Sequence, residues 1–351
     1  MTGLVQADAV ELPVADDSVD LVITSPPYFA LRSYRDDGEH YDGQIGSEAT
    51  PAEFLDALWA VTAECVRVLK PSGSLWVNLG DKYSGVNPGS YSRHTQPVDG
   101  GPGYYAAAAA SEAKADHRPD WGGVRSKSLM GLPWRYAIGC IDDLGLILRA
   151  EVIWSKPNGL PESVTDRVRR SHEQWFHFTL EPRYFSALDE IRDPHKTPGG
   201  MGWAADGKGK HYSEVDTRKG SNRGTNTIST QGGGMTTFGG HPLGKLPGSV
   251  WSIPSEPLKV PDELGVDHFA AFPQEWPRRL ILGWCPPDGV VLDPFAGTGT
   301  VPMVARALGR TGIGVDLSAD YLRLARWRVF ESGHASKTVA RTNGERQGLL
   351  L

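Results

Sequence analysis

The chain has 351 residues and a formal net charge of −6, with 39% hydrophobic and 22% charged residues. That balance excludes a disordered chain and a polycationic coat for nucleic acid, while leaving room for an α/β core with inserted loops and for a local basic stripe. Its three scattered cysteines make no disulfide framework or zinc pair, and no membrane span or signal peptide is visible, so a cytoplasmic place is expected.

The first apolar run, Leu21-Val22-Ile23-Thr24, reads as a buried strand. Thr50-Pro51-Ala52-Glu53 is a capping box with proline at the first helical position. The helix behind it sets Leu55, Leu58, Trp59, Thr62, Val66 and Leu69 on one face, and Lys70-Pro71-Ser72-Gly73 stops it. Leu75–Leu79 is the next strand. Residues 84–127 are rich in glycine and read as a long insert. A helix is expected over 129–144, then strands over 146–154 and 174–179. Residues 194–248 form a second glycine-rich insert.

The C-terminal third alternates cleanly. Helix Pro273–Cys285, strand Gly289–Asp293, helix Thr300–Leu308, strand Gly312–Asp316 and helix Ser318–Phe330 follow one another, and 333–351 is a polar tail. The pattern predicts an α/β fold with a doubly wound, mostly parallel sheet. One catalytic domain assembled from 1–83, 128–193 and 249–332 is expected, interrupted by the two inserts.

Val290 to Thr300 reads strand, glycine turn, helix: Asp293-Pro294-Phe295-Ala296-Gly297-Thr298-Gly299-Thr300. Ligands bind at the carboxyl ends of such strands, and Gly297 and Gly299 let backbone approach a ligand. The spacing is neither GxGxxG nor a Walker loop. Asp316 ends the next strand, where a carboxylate accepts ribose hydroxyls, and Asp293 is placed to meet an ammonium group. Ribose plus ammonium points to S-adenosylmethionine. In the second signal, Ser25-Pro26-Pro27-Tyr28, two prolines fix a corner after a strand. The Ser25 hydroxyl and the Pro26 carbonyl suit the hydrogens of an exocyclic amine, and Tyr28 offers a ring to stack on its base. Direct attack on a sulfonium methyl then needs only positioning and local electrostatics.

Together these motifs resemble the amino-group DNA methyltransferases, which methylate cytosine N4 or adenine N6. The order, SPPY first and DPFAGTGT last, is that of the circularly permuted β group. Gln6-Ala7-Asp8-Ala9, Gly43-Gln44-Ile45-Gly46, the Trp154–Ser163 block and His268–Pro273 also match. The resemblance implies a seven-stranded Rossmann-like methyltransferase fold. It implies S-adenosylmethionine held by Asp8, Phe272, Asp293, Phe295, Gly297, Gly299, Thr300 and Asp316. Ser25, Pro26, Pro27 and Tyr28 would carry the chemistry, without a metal. The substrate would be a base flipped out of double-stranded DNA. A homodimer is also implied, as many relatives are dimers.

Relatives often carry glutamate where this chain has Asp316, and Phe29 follows SPPY where many have Trp or Asn. Arg167, Arg169 and Arg170, with Lys208, Lys210, Arg218 and Lys219 of the second insert, are the expected DNA contacts. Cytosine C5 methylation fits poorly, because none of Cys65, Cys140 and Cys285 follows a proline. Serine at the head of SPPY favours cytosine N4, with adenine N6 as the alternative. More distant are an RNA or protein-glutamine methyltransferase and a non-catalytic DNA-binding relative. An isolated pair such as His172-Glu173 reads as structural, and Trp134, Trp154, Trp251 and Trp276 read as core or interface.

Overall fold

The computed structural model of the chain describes residues 2–30, 35–36, 39–40, 43–84, 124–125, 127–159, 161–194, 241, 243–258, 260–265 and 271–333. The main strands are β1 (Gly3–Gln6), β2 (Val19–Thr24), β3 (Leu69–Leu79), β4 (Ile147–Ser155), β5 (His172–Thr179), β6 (Val250–Ser252), β7 (Val290–Asp293) and β8 (Thr311–Asp316). The helices are α1 (Pro51–Val68), α2 (Leu132–Asp142), α3 (Glu275–Trp284), α4 (Thr300–Ala307) and α5 (Ala319–Phe330).

One sheet of eight strands runs β1-β8-β7-β2-β3-β5-β4-β6. All neighbours are parallel except β5, which lies antiparallel between β3 and β4. The expected seven strands thus become eight. The addition is the three-residue edge strand β6, which pairs only with the last three residues of β4 and is too short to show a period. The N-terminal β1 was also not foreseen. It lies at the other edge, and its chain continuation carries Asp8.

Alternation along the strands divides the core between the two faces. Val22, Leu75, Val77, Phe176, Phe178 and Leu292 join α1 and α2 in one cluster. Leu21, Ile23, Trp76, Trp175 and Val291 join α3 and α4 in the other. Trp154, Trp251 and Trp276 are core residues as read, whereas Trp134 stays 43% exposed. The α1 capping box forms as expected: Glu53 N donates to Thr50 Oγ1, and Thr50 N donates to Glu53 Oε2. The helix ends at Val68 and β3 begins at once. Lys70 to Gly73 then bulge out of register between the pairs Val19–Leu69 and Leu21–Ser74, so Pro71 loses no ladder bond.

The connection β7–α4–β8 leads to one edge of the sheet, and β2–α1–β3 leads to the other. Their divide is the β2–β7 pair, the topological switch point at which open α/β sheets bind ligands. Asp20 braces the amino ends there, accepting from Lys70 Nζ at 2.8 Å and from Val290 N at 2.8 Å. Both insertion points are closed at their necks. Ser84 N donates to Ser128 O and Lys127 N to Ser84 O, while Asp193 and Lys245 exchange two backbone bonds at 3.0 Å. Among the described residues, no helix is long and apolar enough to cross a membrane.

Helix α4 packs so closely on β8 that a Cβ on Gly312 would lie 2.7 Å from Pro302 Cα and O. A Gly312→Ala variant is expected to lose about 1–3 kcal/mol of stability, read as a lower urea midpoint with an unchanged slope.

Candidate active site

The cleft opens at the carboxyl ends of β2 and β7. Ser25, Pro27, Phe272, Phe295, Gly297, Thr300, Asp316 and Asp8 all line it, joined by Gln44 and Ile45. The sequence motifs from the two ends of the chain therefore meet in one crevice. Pro26 is buried behind the surface, with Phe295, in a small cavity against α1 and Tyr136.

The glycine loop is shaped by its own backbone. Gly297 and Gly299 have φ of +47° and +72°, in the left-handed region. Asp316 fixes the loop: its Oδ2 accepts from Gly297 N at 2.8 Å and its Oδ1 from Ser318 N at 2.9 Å. The carboxylate expected to meet a ribose is thus also the anchor of the loop. Gly299 does not line the cleft. A Cβ there would lie 2.9 Å from Ala325 Cβ, and its role is to let α4 and α5 meet. Phe272 is held edge-on to Trp175, with centroids 5.8 Å apart. Asp8 stands exposed at the rim and caps the next turn through Val10 N.

Asp293 is 1% exposed and accepts from Phe295 N at 3.1 Å. Burial pushes its carboxyl up to about 7, and the Asp316 charge adds in the same direction. The carboxyl lies behind the cleft rather than in its lining, and burial favours its neutral form. Beneath the loop, Arg328 donates to Thr298 Oγ1 and Thr300 Oγ1, both at 2.6 Å.

Across the cleft, Ser25 Oγ donates to Asn78 Oδ1 at 3.2 Å, and Asn78 Nδ2 donates to Gln174 O at 3.0 Å. Strand β5 therefore turns the amide so that its oxygen faces the proline corner. The Tyr28 hydroxyl lies 2.9 Å from both Asn78 Oδ1 and Glu173 Oε2. Its ring rests on Gly80, where a Cβ would come within 2.7 Å of Tyr28 Cε2. One ring face is thus covered by protein. Glu173 is also paired with Lys156, whose ammonium sits 4.0 Å from the Trp154 ring centroid. The corner continues into Phe29, packed on Phe54, and Ala30, whose N–H and C=O bond to Gly46 O and Lys82 Nζ.

Asn78, Lys156 and Arg328 were not singled out from sequence, and Glu173 was read there as structural. Glu173 joins this network through Tyr28 and Lys156. Its partner Tyr28 is 145 residues away, a separation that no local spacing reveals.

The arginine cluster is more engaged than its sequence suggests. Arg167 bonds Glu162 Oε2 at 2.7 Å and lies over the Tyr83 ring, while Arg170 approaches Asp81 at 3.7 Å. Arg169 is exposed and bonds Gly159 O at 2.9 Å. Lys208, Lys210, Arg218 and Lys219 lie outside the described residues. All three cysteines are buried, and burial raises their thiols, those of Cys140 and Cys285 to about 12. Among the described residues, no group of three or more His, Cys, Asp and Glu could hold a metal ion.

The chain is similar to known proteins in sequence and in fold. The chain is 36% identical over 314 residues to the type II methyltransferase M.XycI of Xanthomonas campestris pv. cyanopsidis, covering 89% of this chain and 81% of that one. It is 31% identical to M.SmaI of Serratia marcescens, covering 93% and 90%. The fold matches the PvuII cytosine-N4-specific DNA methyltransferase with a TM-score of 0.59 at 18% identity, over 98% and 93% of the chains. It also matches a DNA modification methylase of Thermus thermophilus, complexed with S-adenosyl-L-methionine, with a TM-score of 0.54 at 21% identity over 97% and 95%.

A stability measurement checks the buried carboxyl. Its folded value near 7 lies above the unfolded 3.8, so ionising Asp293 weakens the fold as pH rises between them. Asp293→Asn is expected to match the wild-type melting temperature near pH 4, to gain on it up to pH 7, and to stay several degrees above it beyond.

Residues 19–326 match the DNA methylase family of N4-cytosine and N6-adenine enzymes, and the chain belongs to that S-adenosylmethionine-dependent type II DNA methyltransferase family.

Proposed function

We propose that this enzyme methylates the N4 amine of cytosine at a specific site in double-stranded DNA, in the cytoplasm. The observation that carries the reading is the Ser25–Asn78 hydrogen bond. It spends the serine proton on Asn78 and leaves the serine oxygen as an acceptor facing the cleft. An amine hydrogen held there keeps the nitrogen lone pair free to point at the methyl donor. The PvuII enzyme, whose fold this chain shares, is named for cytosine N4, and serine at the head of the motif favours the same base.

The groups in and behind the cleft fit S-adenosylmethionine: the carboxylates of Asp8 and Asp316 and the rings of Phe272 and Phe295 line it, and the raised carboxyl of Asp293 is buried behind Pro294. When bound, that group supplies an electrophilic sulfonium methyl. The protein's own part is positional. Ser25 and the Pro26 carbonyl hold the amine, Pro27 stiffens the corner, and Tyr28 offers its ring to the base. Glu173 and Asn78 lock Tyr28 from behind. No cysteine takes part in this route.

DNA is held in this reading by Arg169 and by the basic residues of the second insert, with Arg167 and Arg170 shaping the surface between them. A homodimer packs through α2. There Trp134, Ile138 and Ile141 form an apolar stripe at helical spacing, 43%, 51% and 41% exposed.

Nucleoside mass spectrometry of methylated genomic DNA is expected to show N4-methylcytosine, and N6-methyladenine as the sole product would refute the assignment. Ser25→Ala should lower kcat by about 100-fold or more with cofactor affinity unchanged. Arg169→Ala is expected to reduce the salt slope of DNA binding by about one. Ile138→Glu should shift the sedimentation coefficient to that of a monomer.

A further inference from the structure

Arg328, on the last turn of α5, is 3% exposed. Its Nε has no hydrogen-bond partner among the described residues. Nor does a carboxylate lie within ion-pair distance of it among them. Glu256 is the acidic group that acts on it electrostatically, but that carboxylate is bonded to Gln274 N and Nε2. A buried cation without a counter-charge is costly. A charge of this kind under a ligand loop calls for a function.

The hydrogen bonds indicate one. Thr298 and Thr300 both accept from Arg328. Each hydroxyl therefore has its own proton to give, either to the other threonine across 3.4 Å or to a ligand acceptor. The two hydroxyls are neighbours, and both residues line the cleft. They stand at the start of α4, whose cap Gly299 offers no side chain to the free N–H groups there. Positive charge, two hydroxyls able to donate and a helix N-terminus thus converge on one floor.

We propose that Arg328 is a positioning residue that turns Thr298 and Thr300 into a paired donor seat for the carboxylate of the cofactor's methionine half. The proposal rests on the cofactor reading above and goes beyond it in assigning the seat to a residue hidden behind the loop. The arginine does not touch the ligand. It fixes both hydroxyl rotors and lends them its field through one hydrogen bond each.

The test compares two ligands that differ by the carboxylate alone. Calorimetry on the full chain measures binding of S-adenosylmethionine and of decarboxylated S-adenosylmethionine, which keeps the ammonium and the nucleoside. Arg328→Met is expected to weaken the first by about 10- to 100-fold and to leave the second within about threefold of wild type. Equal weakening of both ligands would make Arg328 a structural prop and overturn the proposal, as would no weakening of either. Thr298→Val and Thr300→Val, each leaving Arg328 one acceptor, should show the same selective loss. They keep the test decisive if Arg328→Met does not fold. A wild-type chain that binds neither ligand would sink the cofactor reading itself, and this seat with it. Selective loss of the carboxylate-bearing ligand in the variants supports both.

Discussion

The site depends on how little β2 and β7 share. The two strands pair at Leu21–Val291 and Val22–Leu292 and then part. Below that point Asp20 clamps the strands together. Above it, Thr24 and Asp293 mark the place where the sheet opens and the chain must leave in opposite directions. Backbone that would have continued a ladder instead becomes the two lips of a crevice. The lips are built differently. One is a glycine turn held by a carboxylate and undercut by an arginine. The other is a proline corner held by an amide and a glutamate.

This division assigns each lip its physics. The glycine lip gathers charge where water is scarce. Asp293 lacks a cation partner among the described residues, and the Arg328 charge has only two hydroxyls. Both cost stability in the free protein. Such a cost in stability is common where a site is preorganised. The proline lip carries little net charge of its own. Its carboxylate is paired with Lys156 and its polar groups are satisfied by neighbours, so it sets direction more than field.

Much of this organisation was legible in the sequence, because the C-terminal β/α units are punctuated by caps and glycines and their apolar residues are periodic. The capping box at Thr50 placed α1 to within a residue. What escaped notice escaped for definite reasons. Edge strands β1 and β6 have four and three residues, shorter than any period needs to declare itself. Glu173 sits in an antiparallel strand whose significance arises only when β5 slots between β3 and β4. Arg328 belongs to an amphipathic helix, where a basic residue reads as solvated, and only the approach of α4 makes it internal. The arginines after Gly159 read as a free basic patch because their acidic partners, Glu162 apart, are distant in sequence. In each case local pattern reported the element, and tertiary contact decided the role.

The permuted order also bears on how the chain comes to exist. Asp20 must find Val290, 270 residues away, and Gln6 donates to Leu317 across 311. During synthesis the proline corner emerges early, and the strands that flank it on one side emerge last. For most of translation β2 has one neighbour, and its other edge, with Leu21 and Val22, stays open to foreign strands. Pairings of such long range are slow to close and prone to misassembly meanwhile. Methylating capacity therefore arises all at once, when the final two strands dock, and a ribosome stalled before them releases a chain with five paired strands of the eight and no active site.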